Sequence, residues 1–156
     1  MIKRIQVSSG IICFGLIVLS LSILSCGKKG SPKPPEELAP SPIGAFAAAG
    51  AVHGVMLSWQ APTTDSNGDP LLNLSGFRVK RAFYVPDEDL DFTVVAEINV
   101  NADGVAAYTY TDADVAPGKS YEYAVVGVND DAVEGRAPYN LRVRFTGESS
   151  SVETIM

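Results

Sequence analysis

From Ile43 to Phe145 apolar and polar residues alternate with a period of two, and Gly, Pro, Asn or Asp breaks the pattern at roughly 8 to 15 residue intervals. Alternation puts successive side chains on opposite faces of an extended chain. Each segment then has one face to bury and an edge that must pair with a neighbour. No helical stripe longer than two turns survives in this region. The pattern predicts strands over 43–49, 52–60, 75–84, 92–98, 105–111, 120–129 and 138–146. Seven strands so punctuated imply an all-β fold, an antiparallel sandwich of two packed sheets. Parity turns inward Val55, Leu57 and Trp59, then Phe77 and Val79, then Tyr108 and Tyr110. It does the same for Tyr121, Tyr123, Val125 and Gly127, and for Leu141, Val143 and Phe145, with the single tryptophan in mid-core.

The first 42 residues follow no such rule. Lys3 and Arg4 precede an almost unbroken apolar run from Ile11 to Leu24, the proportions of a secretory leader. A membrane-spanning helix needs about 20 apolar residues. Extending this run backwards to that length takes in Gln6, Ser8 and Ser9, so cleavage rather than anchoring is expected for 1–25. The run ends in Ile23-Leu24-Ser25-Cys26, which resembles the lipobox of bacterial lipoproteins, with Ile23 where that family most often has Leu. The resemblance implies that Cys26 is acylated on its thiol, becomes the first residue after cleavage, and attaches the protein to a membrane. A plain signal peptide that happens to end beside a cysteine is the alternative. Cys13 lies in the leader, so the mature chain keeps one cysteine, already carrying lipid, and has no disulfide. Loss of Lys3 and Arg4 leaves 10 Lys+Arg against 18 Asp+Glu, a net charge of -8. Residues 26–42, with prolines at 32, 34, 35, 40 and 42, read as an extended tether reaching up to about 50 Å at ~3.1 Å per residue. Gly27 follows the cysteine where an inner-membrane retention signal of enteric bacteria would have Asp, so an outer-membrane destination is implied for a Gram-negative source.

Within 41–146 the chain resembles a fibronectin type III domain in its bacterial form. The residues that carry this are Leu57-Ser58-Trp59 with Ala61-Pro62, then Gly76-Phe77-Arg78-Val79. The longest element runs from Tyr110 and Asp112 through Val115, Pro117 and Gly118 to Tyr121, Tyr123 and Val125, and Val128-Asn129 closes the match. The resemblance implies a seven-stranded immunoglobulin-like sandwich. It makes Tyr121 a tyrosine corner, bonded back to the turn before its own strand, and makes Val115 a plug for the lower core. Pro117-Gly118 suits that turn, because Pro presets φ and Gly accepts φ > 0. Arg81 departs from the pattern. It has inward parity where the family often has an apolar residue, and is expected to snorkel outward from a strand end. Residues 147–156 have too few apolar side chains to pack and are expected to be disordered.

The chemistry is thin. One His and two Cys cannot build a zinc cluster or a relay-type catalytic site, and an acidic chain lacks the basic face that nucleic acid requires. Asp65, Asn67 and Asp69 stand at the first, third and fifth positions of an EF-hand loop, but Pro70 and Gly76 occupy its required glycine and acid, so a turn is expected there. Asp87, Glu88, Asp89 and Asp91 read as a solvated loop, and His53 as a rim residue. Gly135-Arg136-Ala137 lacks an Arg-Gly-Asp motif. In the type III arrangement the third, sixth and seventh strands are neighbours. Arg78 and Lys80, then Glu122, Ala124, Val126 and Val128, then Arg142 and Arg144 share one outward face. The face has two readings: a docking site for an anionic partner, or long basic stems covering the valines. Topology brings the tether in at the end bearing Asp65, Asp69, Asp103, Asp130, Asp131 and Glu134, an acidic cap that an anionic bilayer repels. The expectation is a lipid-anchored, non-catalytic envelope protein that binds or spaces an envelope protein or glycan. Its only prosthetic group is the lipid on Cys26. A scaffold subunit of an envelope-assembly or secretion machine is the rival, and a hydrolase the third reading.

Overall fold

The structure, a computed structural model, describes residues 38–100 and 106–147 and the backbone of 152–155. These belong to the compact unit Lys33–Met156. Cys26, the leader and Asp103 lie outside the described residues. The strands are β1 (Gly44–Ala51), β2 (Gly54–Gln60), β3 (Leu74–Phe83), β4 (Thr93–Asn99), β5 (Ala107–Asp112), β6 (Lys119–Asn129), β7 (Leu141–Phe145) and β8 (Val152–Ile155). They form two antiparallel sheets, ordered β1-β2-β5 and β4-β3-β6-β7-β8. Among the described residues no helix is long and apolar enough to cross a membrane.

Between the sheets lie the residues that parity turned inward. Val55, Leu57, Trp59, Phe77, Val79, Tyr108, Tyr121, Tyr123, Val125, Leu141, Val143 and Phe145 are all buried, while Tyr110 and Val115 are partly buried against them. Ile43, just before β1, and Phe46 within it complete the cluster. Trp59 meets Phe77 edge-on at 5.5 Å and stacks on Tyr108 at 6.2 Å. Its Nε1 and the Tyr108 hydroxyl have no hydrogen-bond partner among the described residues.

Two sequence expectations are corrected at the ends of the sandwich. Residues 38–42 do not belong to an unpacked tether: Ala39 and Pro40 are buried. The Ser41 amide donates to Thr64 O at 3.0 Å, Ser66 N to Ala39 O at 2.8 Å, and Asn129 Nδ2 to Leu38 O at 3.4 Å. Proline suits this wedge because its ring fills space and it has no N–H to satisfy. A Cβ on Gly135 would stand 2.3 Å from Pro40 O, so the approach of the two chains requires glycine. The tail is the second correction. Residues 152–155 form β8, pairing Phe145 with Val152 and Arg142 with Ile155. Val, Thr and Ile are good strand formers, and β7 offers them an otherwise open edge of backbone donors and acceptors.

Candidate binding face

Register brings the predicted face together on the five-stranded sheet. Arg78 lies opposite Val126 and Lys80 opposite Ala124 across β3 and β6, and Glu122 lies opposite Arg142 across β6 and β7. The central strand β6 is buried on both sides, with Glu122, Ala124, Val126 and Val128 all buried on the outer face. The cations are not free to meet an anion. Arg78 donates from Nε to Glu97 at 2.9 Å and from Nη1 to Glu134 at 2.8 Å, and Lys80 donates to the other Glu134 oxygen. Arg142 grips Glu122 Oε1 through Nε at 2.9 Å and Nη2 at 2.7 Å, and its guanidinium lies 3.6 Å from the centre of the Tyr84 ring. Three cations thus face three carboxylates. The strip walled by cations becomes a charge-balanced ladder, and Arg144 stands exposed beside it on β7.

Glu134 therefore leaves the acidic cap. The chain after β6 folds back so that Gly135 N donates to Gly127 O at 2.9 Å and residue 134 bridges Val128, which carries its carboxylate onto the sheet face. Partial burial works against the Glu134 charge. The hydrogen bonds from Lys80 and Arg78 overcome it and hold the carboxyl below its ordinary range. The same bonds, Glu134 first and Glu97 second, raise Arg78. Asp65 also leaves the solvent. It is buried, and its Oδ1 accepts the amides of Asn67 at 2.9 Å and Asp69 at 3.0 Å, the work of a turn-forming aspartate. Fully buried Asn129 does the same after β6, accepting Asp131 N at 3.1 Å and Val133 N at 2.9 Å. Asp69, Asp130 and Asp131 remain exposed at this end.

At the opposite end the Ala116 amide donates to the Tyr121 hydroxyl at 3.0 Å, the expected closure of the turn between β5 and β6. Beside it the expectation for Arg81 fails. Its side chain turns inward, 18% exposed, onto Asp112, which is 2% exposed. Nη1 lies 2.8 and 3.1 Å from the two Asp112 oxygens, Nη2 is 3.1 Å from Asp114, and the guanidinium is 5.4 Å from the Tyr121 ring centre. Tyr123 donates its hydroxyl to Asp112 at 2.8 Å, and Asp114 its amide at 3.0 Å. Burial, then the adjoining Asp112 charge, pushes the Tyr123 phenol far up. Burial opposes the Arg81 charge, and its bonds to Asp114 and Asp112 raise its pKa nonetheless. The signal was available: Asp112 shares inward parity with Tyr108 and Tyr110, and a buried acid needs a buried cation.

The fold is similar to that of solved structures, two of which illustrate it. One is the third fibronectin III domain of the human KIAA0343 protein, at a TM-score of 0.51 and 14% identity, covering 80% of this chain and 97% of that one. The fold is that of a fibronectin type III domain. The other, the twitchin kinase region from C. elegans, gives a TM-score of 0.53 at 15% identity over 72% of this chain, which spans only 18% of that longer one. No family model and no curated protein matches the chain. Among the described residues no three His, Cys, Asp or Glu side chains are grouped to hold a metal, and His53 is exposed in the turn between β1 and β2.

Proposed function

We propose that the protein is anchored by lipid on Cys26 in the bacterial cell envelope, with the type III domain serving as a non-catalytic binding or spacing module for an envelope protein or glycan. The observation that carries this reading is Ile23-Leu24-Ser25-Cys26, placed at the end of an apolar run behind Lys3 and Arg4. A cysteine there has no partner for a disulfide once the leader and Cys13 are gone. The geometry of the domain is consistent with it. The chain enters between the loops that carry Asp69, Asp130 and Asp131, a face that anionic lipid repels, so the domain stands off the bilayer. Gly27 favours the outer membrane in a Gram-negative source.

Mass spectrometry of the mature amino terminus tests the anchor. A diacylated or triacylated Cys26 is expected, and Cys26→Ala should accumulate as precursor or leave the membrane fraction. Normal cleavage and membrane retention of that variant would refute the anchor. Recovery of the acylated protein in a multi-subunit machine at fixed stoichiometry would favour the scaffold reading over a simple binding module.

A further inference from the structure

We propose that the outer edge of β7 is a strand-accepting site, filled at rest by the chain's own β8, and that its partner is an extended peptide strand carrying an acid opposite Arg144. The proposal deepens the binding-module reading and rests on it. β8 adds antiparallel to β7 in the register Arg142 with Ile155, Val143 with Thr154, Arg144 with Glu153 and Phe145 with Val152. This edge therefore accepts a strand, and four residues satisfy it. Main-chain pairing gives such a site its affinity, and the residues opposite give it specificity.

The pattern of β7 selects the occupant. Leu141, Val143 and Phe145 are buried toward the core; on the outer face Arg142 is held by Glu122, and Arg144 is left exposed to meet whatever lies across the edge. A second copy of β7 is a poor partner. In antiparallel self-pairing centred on Arg142, Val143 or Arg144, the registers that keep Val143 facing inward, arginine falls opposite arginine. Like charges directly opposite destabilise a strand pair. β8 instead sets Glu153 opposite Arg144 and an aliphatic residue opposite Arg142. The edge thus favours an acid-bearing strand and disfavours its own copy. The resident strand is short and is joined to β7 through Thr146 to Ser151. A short linker supplies an effective concentration on the order of mM, so a partner presented at comparable local concentration displaces β8.

The test uses the full chain and a synthetic peptide of residues 150–156. Val152→Pro with Thr154→Pro should prevent β8 from pairing, since proline lacks the ladder donor, and should leave the sandwich intact by circular dichroism and tryptophan fluorescence. We expect this variant to bind the peptide at least ten-fold more tightly than the native chain. Replacing the peptide's glutamate with lysine should abolish binding, and Arg144→Glu in the proline variant should restore it for the lysine peptide alone. Equal affinity of native and proline chains, or indifference to the charge swap, would overturn the proposal. Hydrogen exchange in the native chain gives a second check: β7 amides should open at lower free energy than those of β6, and equal protection would mean that β8 does not exchange. Neither readout depends on acylation, so failure here leaves the anchor standing, and failure of the Cys26 test leaves this edge untouched.

Discussion

Arg78 and Arg81 lie three residues apart on β3 and meet carboxylates in opposite settings. Arg78 is 30% exposed and pairs with Glu97 and Glu134, which are 66% and 30% exposed. Arg81 is 18% exposed and pairs with Asp112 at 2%. Water screens the first cluster, so its pairs contribute little to stability. The second has surrendered its hydration. Its bonds must compensate for that loss, and removing one partner strands the other. Equal chemistry on one strand therefore carries unequal weight, and burial decides which cluster the fold cannot lose.

The strongest challenge to that contrast is Asp112→Ala. It leaves the Arg81 guanidinium unpaired and the Tyr123 hydroxyl orphaned, and should cost about 3–5 kcal/mol in urea denaturation, a large part of the ~5–15 kcal/mol such a domain has. A cost under ~1 kcal/mol would erase the distinction. The triple variant Arg81→Met, Asp112→Leu, Tyr123→Phe should recover much of the loss, because no charge or hydroxyl is left behind.

Tyr121→Phe is the next largest. It deprives the Ala116 amide of its acceptor and should cost about 1–3 kcal/mol, read as a lowered denaturation midpoint at unchanged slope.

Glu134→Gln sharpens the exposed side of the comparison. Its cost should be no more than ~1 kcal/mol in low salt. It should fade in 1 M salt, where the Debye length is about 3 Å, whereas the cost of Asp112→Ala persists. The pH dependence has a definite sign. The Glu134 carboxyl is held below its ordinary value, so its contribution is complete above the ordinary carboxylate range and is lost as pH falls through the lowered folded value. The stability gap between wild type and Glu134→Gln should therefore close on acidification, and a gap that widens would contradict the assigned ion pairs.

The smallest effect belongs to Tyr108→Phe. Its hydroxyl is buried with no partner among the described residues, so its removal should be neutral or slightly stabilising by melting temperature. A clear loss would mean that the hydroxyl is satisfied.

The inward faces of five strands were legible in the sequence from a period of two, and the neighbouring third, sixth and seventh strands, the tyrosine corner and the end at which the chain enters followed from the resemblance to a type III domain. The first rests on a local rule; the others rest on turn residues at family offsets and the alternation of direction in antiparallel strands. The fate of the charges was not legible. Glu134 reaches Arg78 across 56 positions and Arg81 reaches Asp112 across 31, and no periodicity within one strand encodes which acid of a distant loop folds back onto which cation. The packing of Pro40 beneath the loop after β6, and the addition of β8 to β7, likewise needed two remote segments to be placed side by side. Composition marked both segments as unable to build a core, which is correct for each alone. Tertiary structure decided otherwise because a few residues need only complete a core or an edge that the rest of the chain has already made.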